Sequence, residues 1–287
     1  MIKTTFPLTF APAARAALQW RLLLLWAACV LLPTLLVAFP VHGLLAGQLD
    51  HAVGAPALAH ALDLLALADL ATVAQREAGA LGTAGLVALV LMLALSPLLT
   101  GAIVTAARAP TLLAMRPLLA GALAEYPRMA RMLCWAAIPL GLATLAGAHL
   151  LEMAGTHANT VVLYADARRW TVAAGLAAAV LVLLANLTLD AGRAALAVDR
   201  RRTSAVAGWW RGLQLLARRP GPVLLAYGLF TVTGLLLAAL LALGRLQVPP
   251  LGAIGFTAAL LLTQLIALVL GWMRAARLFA LVRIAGA

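Results

Sequence analysis

The chain has 287 residues, 65% hydrophobic and 10% charged. Soluble domains average about 45–50% apolar and about 25% charged residues, and disordered chains are more polar still, so both classes are excluded. The formal charge of +12, from 21 basic and 9 acidic residues, would suggest nucleic acid in a soluble protein. In a membrane protein it reads as orientation, and no nucleic-acid partner is expected.

Six apolar runs, about 22–41, 81–106, 132–151, 170–189, 222–243 and 251–273, are each long enough to cross the hydrocarbon core as a helix. The expected fold is therefore all-α: one polytopic domain over 1–287 with six transmembrane helices. The first run is too long for a signal-peptide core and lacks a small-x-small cleavage site, so it is expected to be retained as an anchor. With the N-terminus, 107–131, 190–221 and the C-terminal tail on one side, that side holds 17 basic and 3 acidic residues. The other side holds 4 basic and 6 acidic. This asymmetry is expected to place the basic side, and both termini, in the cytoplasm; the style of the sequence suggests a bacterial inner membrane.

Residues 42–80 form the longest stretch outside the spans and collect His42, Asp50, His51, His60, Asp63, Asp69 and Glu77. Pro56 suits the first turn of a helix over about 57–78. Leucines on all sides of that helix predict an apolar external cap, covered by the bundle or dipping into the membrane. His60 and Asp63 lie one turn apart, but a metal needs three or four converging ligands, so no metal site is expected. Residues 110–126, interrupted by Pro117, are expected to form a short interfacial helix separate from the third span. Three times a short basic segment with aromatics precedes a helical hairpin: Arg15 to Arg21, Glu125 to Arg131, and Trp209 to Arg219. This suggests a three-hairpin repeat.

The cytoplasmic elbow, 199–221, contains an amphipathic helix over 203–219. At 100° per residue Ala205, Val206, Trp209, Trp210, Leu213, Leu216 and Ala217 share one arc. Ser204, Arg211, Gln214, Arg218 and Arg219 lie opposite, and Leu215 is the misfit. Thr203 or Ser204 caps the start, and Pro220-Gly221-Pro222 stops the end. Tryptophan on one face and arginine on the other is the composition of an interfacial helix, reinforced by Arg200, Arg201 and Arg202. Trp209, Trp210, Arg211, Arg218 and Arg219 are the expected contacts to anionic headgroups or to a protein partner. An anchoring elbow that sets the tilt of two spans is the simpler account of the same residues.

Few ionisable groups sit at membrane depth. Asp190 and Arg193 are one turn apart, below Asn186 and Thr188; Thr263 and Gln264 interrupt the sixth span; His149 and Glu152 close the third. Asp190, Arg193 and Gln264 are candidates for a polar path; an interface ion pair and an interhelical hydrogen bond are the simpler account of the same residues. Pro33, Pro97 and Pro139 interrupt spans, with Ser96, Thr100 and Thr144 near enough to help satisfy freed carbonyls. Ala143 with Gly147, and Gly228 with Gly234, would let helices approach closely. Cys29 and Cys134 both read as small core residues.

Asp190-Ala-Gly-Arg193 with Asp199 departs from the metal-binding pattern of CDP-alcohol phosphotransferases. No HExxH, phosphate-binding glycine loop or Ser/His arrangement is present. Neither catalytic residues nor a cofactor are expected. The stretch Asp190-Ala-Gly-Arg-Ala-Ala-Leu-Ala-Val-Asp199-Arg-Arg-Arg, followed by Trp209-Trp-Arg-Gly-Leu-Gln-Leu-Leu-Ala-Arg-Arg-Pro-Gly221, resembles the six-helix membrane domains fused to some glycerophosphoryl diester phosphodiesterases, and their stand-alone relatives. The resemblance covers the fourth and fifth spans, and the rest in layout only. It implies a membrane-embedded accessory domain without the catalytic barrel. The expected function is a non-enzymatic accessory or scaffold protein acting with membrane or cytoplasmic partners; the alternative is a carrier of a lipid or small apolar solute.

Overall fold

Inside hydrocarbon a backbone must satisfy its own polar groups, and long leucine- and alanine-rich runs do so as helix. The computed structural model describes residues 6–49, 64–161, 163–201, 203–248 and 252–286, and among them every regular element is a helix. In chain order these are α1 (Phe6–Ala17), α2 (Trp20–Leu49), α3 (Leu64–Arg76), α4 (Ala78–Arg108), α5 (Met115–Ala158), α6 (Tyr164–Val198), α7 (Ala205–Arg218), α8 (Pro220–Gln247) and α9 (Gly252–Gly286). Six of them, α2, α4, α5, α6, α8 and α9, are long and apolar enough to cross a membrane. The chain is an all-α, multi-pass integral membrane protein.

Several boundaries differ from the sequence reading. The 110–126 segment is no separate interfacial helix: from Met115 onward it is the start of α5. Pro117 falls in the first turn, where a missing N–H costs nothing. The expected tail after 273 is instead the continuation of α9, with Ala275, Ala276, Phe279 and Leu281 buried. Residues 42–49, assigned to the external segment, continue α2 through Pro40. Of the expected cap helix, Leu64–Arg76 is observed. Asp50, His51, Pro56 and the His60–Asp63 pair lie outside the described residues.

The chain divides into two compact units. The first comprises Met1–Ala17, Thr100–Phe230 and Ala275–Ala287. In it α1 buries Ala13 and Ala17 and stacks Phe10 on Phe230, ring centroids 4.3 Å apart. The hairpin α5–α6 closes where Gly147 meets Ala178: a Cβ on the glycine would stand 2.9 Å from the alanine Cβ. The Ala143-to-Gly147 spacing does bring helices together, whereas Gly228 faces open space.

The second unit comprises Leu18–Leu99 and Thr231–Arg274. Here Gly271 of α9 accepts the Trp26 indole of α2, and Arg274 lies 5.6 Å from that ring's centroid. Gly234 of α8 receives Met273, whose sulfur would be 2.6 Å from an added Cβ.

The helices that precede the basic segments at 125–131 and 209–219 pack alike. Positions 99–104 of α4 and 189–194 of α6 are each six consecutive buried residues, so each helix is covered on all sides there. In both, a glycine admits the elbow that follows. A Cβ on Gly101 would meet the Ala122 carbonyl oxygen at 2.7 Å, and one on Gly192 the Trp209 Cα at 2.9 Å. Thr144 does not answer the carbonyl freed by Pro139; its hydroxyl donates to Leu140 and Gly141 instead. Cys29 is buried as expected, but Cys134 is exposed on α5 rather than part of the core.

Candidate functional site

The arginine-rich end of the first unit concentrates the buried polar groups. Asp190 keeps a side-chain exposure of 6% and receives Arg193 at 2.6 Å, one turn along α6. Arg277 of α9 approaches its other oxygen at 3.8 Å and lies 4.7 Å above the Tyr227 ring of α8. One carboxylate thus joins two guanidiniums, and the π face of the tyrosine takes part of the surplus charge.

A second cluster has the same plan. Glu125 of α5 is bound by Arg128 at 2.7 Å and by Arg108, the last residue of α4, at 2.5 Å. Here the surplus is met by the end of α6. Arg108 donates to the carbonyls of Ala197 and Leu196, and Arg128 to those of Leu196 and Asp199 at 2.7 and 2.8 Å. Cations on a helix C-terminus satisfy carbonyls with no intrahelical partner and sit at the negative end of its dipole. Neither cluster is a large net source of stability, because desolvating the charges offsets most of their attraction. Removing one partner, however, strands the others. Each is a clasp that fixes which helices meet.

The elbow helix α7 begins where Ser204 Oγ accepts from the Ala207 N–H, as its sequence predicts. Its roll differs from the reading of its apolar arc. The face against α6 is Ala205, Gly208 and Gly212, with Leu215, the apparent misfit, half-buried on that side. An added Cβ on Gly212 would overlap the backbone nitrogen of Gly192, so α7 and α6 touch backbone to backbone. The apolar arc is consequently shared. Trp209 turns inward, donates from Nε1 to Thr188 Oγ1 at 3.1 Å and meets the Trp135 ring edge-on at 5.6 Å. Val206 and Trp210 face outward, the latter 59% exposed.

The polar side of α7 borders a cleft of about 500 Å³ formed with the ends of α6 and α9. Arg211 pairs with Asp199 at 3.0 Å, and Arg219 donates to the Ile284 carbonyl at 3.4 Å. Arg218 and Gln214 also line it. At the other end of the α5–α6 hairpin an apolar groove of about 660 Å³ runs between the helices, where the His157 and Trp170 rings meet at 5.0 Å.

Of the residues singled out from the sequence, Asp190 and Arg193 are paired as expected. Trp209, Trp210, Arg211, Arg218 and Arg219 all lie on or beside α7, but Trp209 is committed to Thr188. Gln264 is half-buried in the second unit, and neighbouring Thr263 donates to its own helix at Ala259. His149 and Glu152 form a long, exposed pair at 4.0 Å. Sequence reasoning missed Arg277 and the whole Glu125 cluster. The only local signal was the one-turn spacing of Glu125 and Arg128, while Arg108 and Arg277 come from distant helices. Among the described residues no three potential metal ligands converge. Comparison with protein-family models, curated proteins and solved structures finds no match to this chain.

Proposed function

We propose that this integral membrane protein is a non-enzymatic accessory or scaffold protein of a bacterial inner membrane, with its arginine-rich end in the cytoplasm, working through partner proteins. The supporting observation is the division of labour along α5 and α6. At one end Asp190 and Glu125 are each held by two arginines in a fixed arrangement. Toward the other end Leu142, Leu145, Leu176 and Val180 stand exposed on a two-helix hairpin, a surface on which a partner's helices could pack. The resemblance to phosphodiesterase membrane domains agrees with an accessory role and supplies no catalytic residue. Isolation in a mild detergent, with quantitative mass spectrometry, tests the reading. A stoichiometric protein partner that is lost when Leu176 and Val180 are both changed to tryptophan supports it. Retention of that partner by the variant would place the interface elsewhere and refute this one.

The apolar groove beside His157 and Trp170 favours a second reading, the carrier of a lipid or small apolar solute. In liposomes such a carrier would move substrate, and Ala174→Trp, which fills the groove, would stop it. Asp190→Asn would slow it if Asp190 lines the path. A flux equal to that of empty liposomes rejects the carrier.

A further inference from the structure

Helix α7 presents two adjoining surfaces to its surroundings. One is apolar, with Val206 and Trp210 exposed and Ala217 on the same side. The next sector round the helix carries Gln214, Arg218 and Arg211, which form one wall of the cleft; Val198, Asp199 and Ile284 face them. Three arginines line this cleft against one aspartate.

The aspartate is already spent. Its Oδ2 accepts from Arg211, and its Oδ1 accepts from the Arg201 backbone N–H at 3.3 Å. Arg219, through the Ile284 carbonyl, offsets the negative end of α9. Arg218 makes no ion pair among the described residues and is exposed on the cleft. Arg211 has donors beyond the one given to Asp199, and Gln214 adds its amide.

We propose that this cleft binds a phosphate group, that of an anionic phospholipid whose acyl chains lie along Val206 and Trp210. Arginine forks match phosphate oxygens in geometry and charge. Indole rings favour the headgroup level of a bilayer, so the apolar strip and the cleft stand at the depths of the chains and the phosphate of one lipid. The site does not depend on the scaffold reading. A phosphorylated soluble molecule offers the same chemistry, and the test separates the two.

The experiment is native mass spectrometry of the full-length protein, titrated with phosphatidylglycerol or phosphatidylethanolamine, and separately with inorganic phosphate or glycerol 3-phosphate. The expected result is a preference for phosphatidylglycerol that falls about five-fold in Arg218→Gln. It should survive in Arg116→Gln, which removes the same charge from the exposed first turn of α5, outside the cleft. Gln214→Leu reads the same contact without a charge change and covers the case in which Arg218→Gln fails to fold. If glycerol 3-phosphate or inorganic phosphate binds with the same dependence on Arg218 and displaces the lipid, the phosphate site stands and its natural ligand is soluble. Equal losses in Arg218→Gln and Arg116→Gln would show only a diffuse basic field and overturn the site, as would equal binding of the two lipids.

Discussion

The two halves of α6 are one helix under two regimes. Over 189–194 every residue is buried, although this stretch holds an aspartate, an arginine and a glycine. Over 172–184 the residues are leucine, valine and alanine with the single glycine Gly175, yet Val172, Val180 and Leu184 are exposed, Leu176 by 64%. In water the order would be reversed. Lipid tails are as apolar as leucine, so apolarity gives no reason for one helix to prefer another over the bilayer. What selects a neighbour is close backbone approach and the pairing of polar groups. The arginine-rich end has both, in Gly192 against Gly212 and in the Asp190 and Glu125 clasps.

The contrast can be broken most severely at Asp190. Asp190→Asn leaves Arg193 and Arg277 buried against a neutral side chain and should cost about 4 kcal/mol, read from the unfolding midpoint in detergent. The exposed Glu152→Gln should cost well under about 1 kcal/mol. Glycine-to-alanine changes should then differ in sign. Gly212→Ala pushes a methyl into the backbone of Gly192 and should destabilise by about 2 kcal/mol. Gly175→Ala meets open space and should stabilise by about 0.5 kcal/mol through helix propensity. Glu125→Gln should cost about 2 kcal/mol, less than Asp190→Asn, because Arg108 and Arg128 keep the carbonyls at the end of α6. The smallest effect is on reactivity alone. In the folded protein a membrane-soluble maleimide should label Cys134 and spare Cys29, checked by intact-mass spectrometry.

Much of this architecture is legible in the sequence, for identifiable reasons. Apolar runs of membrane-spanning length announce the six spans, and the 100° periodicity of 203–219 announces α7. The one-turn spacing of Asp190 and Arg193 announces their ion pair. What stays hidden depends on contacts between distant segments. Arg108 to Glu125 and Asp190 to Arg277 leave no periodic trace. Arg274 and Arg277 look like the end of a span because charge is costly in hydrocarbon, yet Arg277 is paired and α9 continues past it. Pro117 reads as a breaker until its place in the first turn is known. The roll of α7 is hidden because a periodic apolar arc does not separate residues that touch protein from residues that touch lipid. Gly208 and Gly212, which decide the matter, add almost nothing to that arc.

The proposed scaffold role requires that the outer half of α6, where Gly175 leaves room for a second backbone to approach, meets a partner protein while the arginine-rich end is closed by its own chain. A photoreactive amino acid at Leu176, exposed on that flank, tests it in intact membranes, with Leu196 in the closed end as the reference. The account predicts one protein adduct of defined mass from position 176, and from position 196 only cross-links within the chain. Adducts to lipid alone at position 176, or a partner captured at position 196, would contradict it.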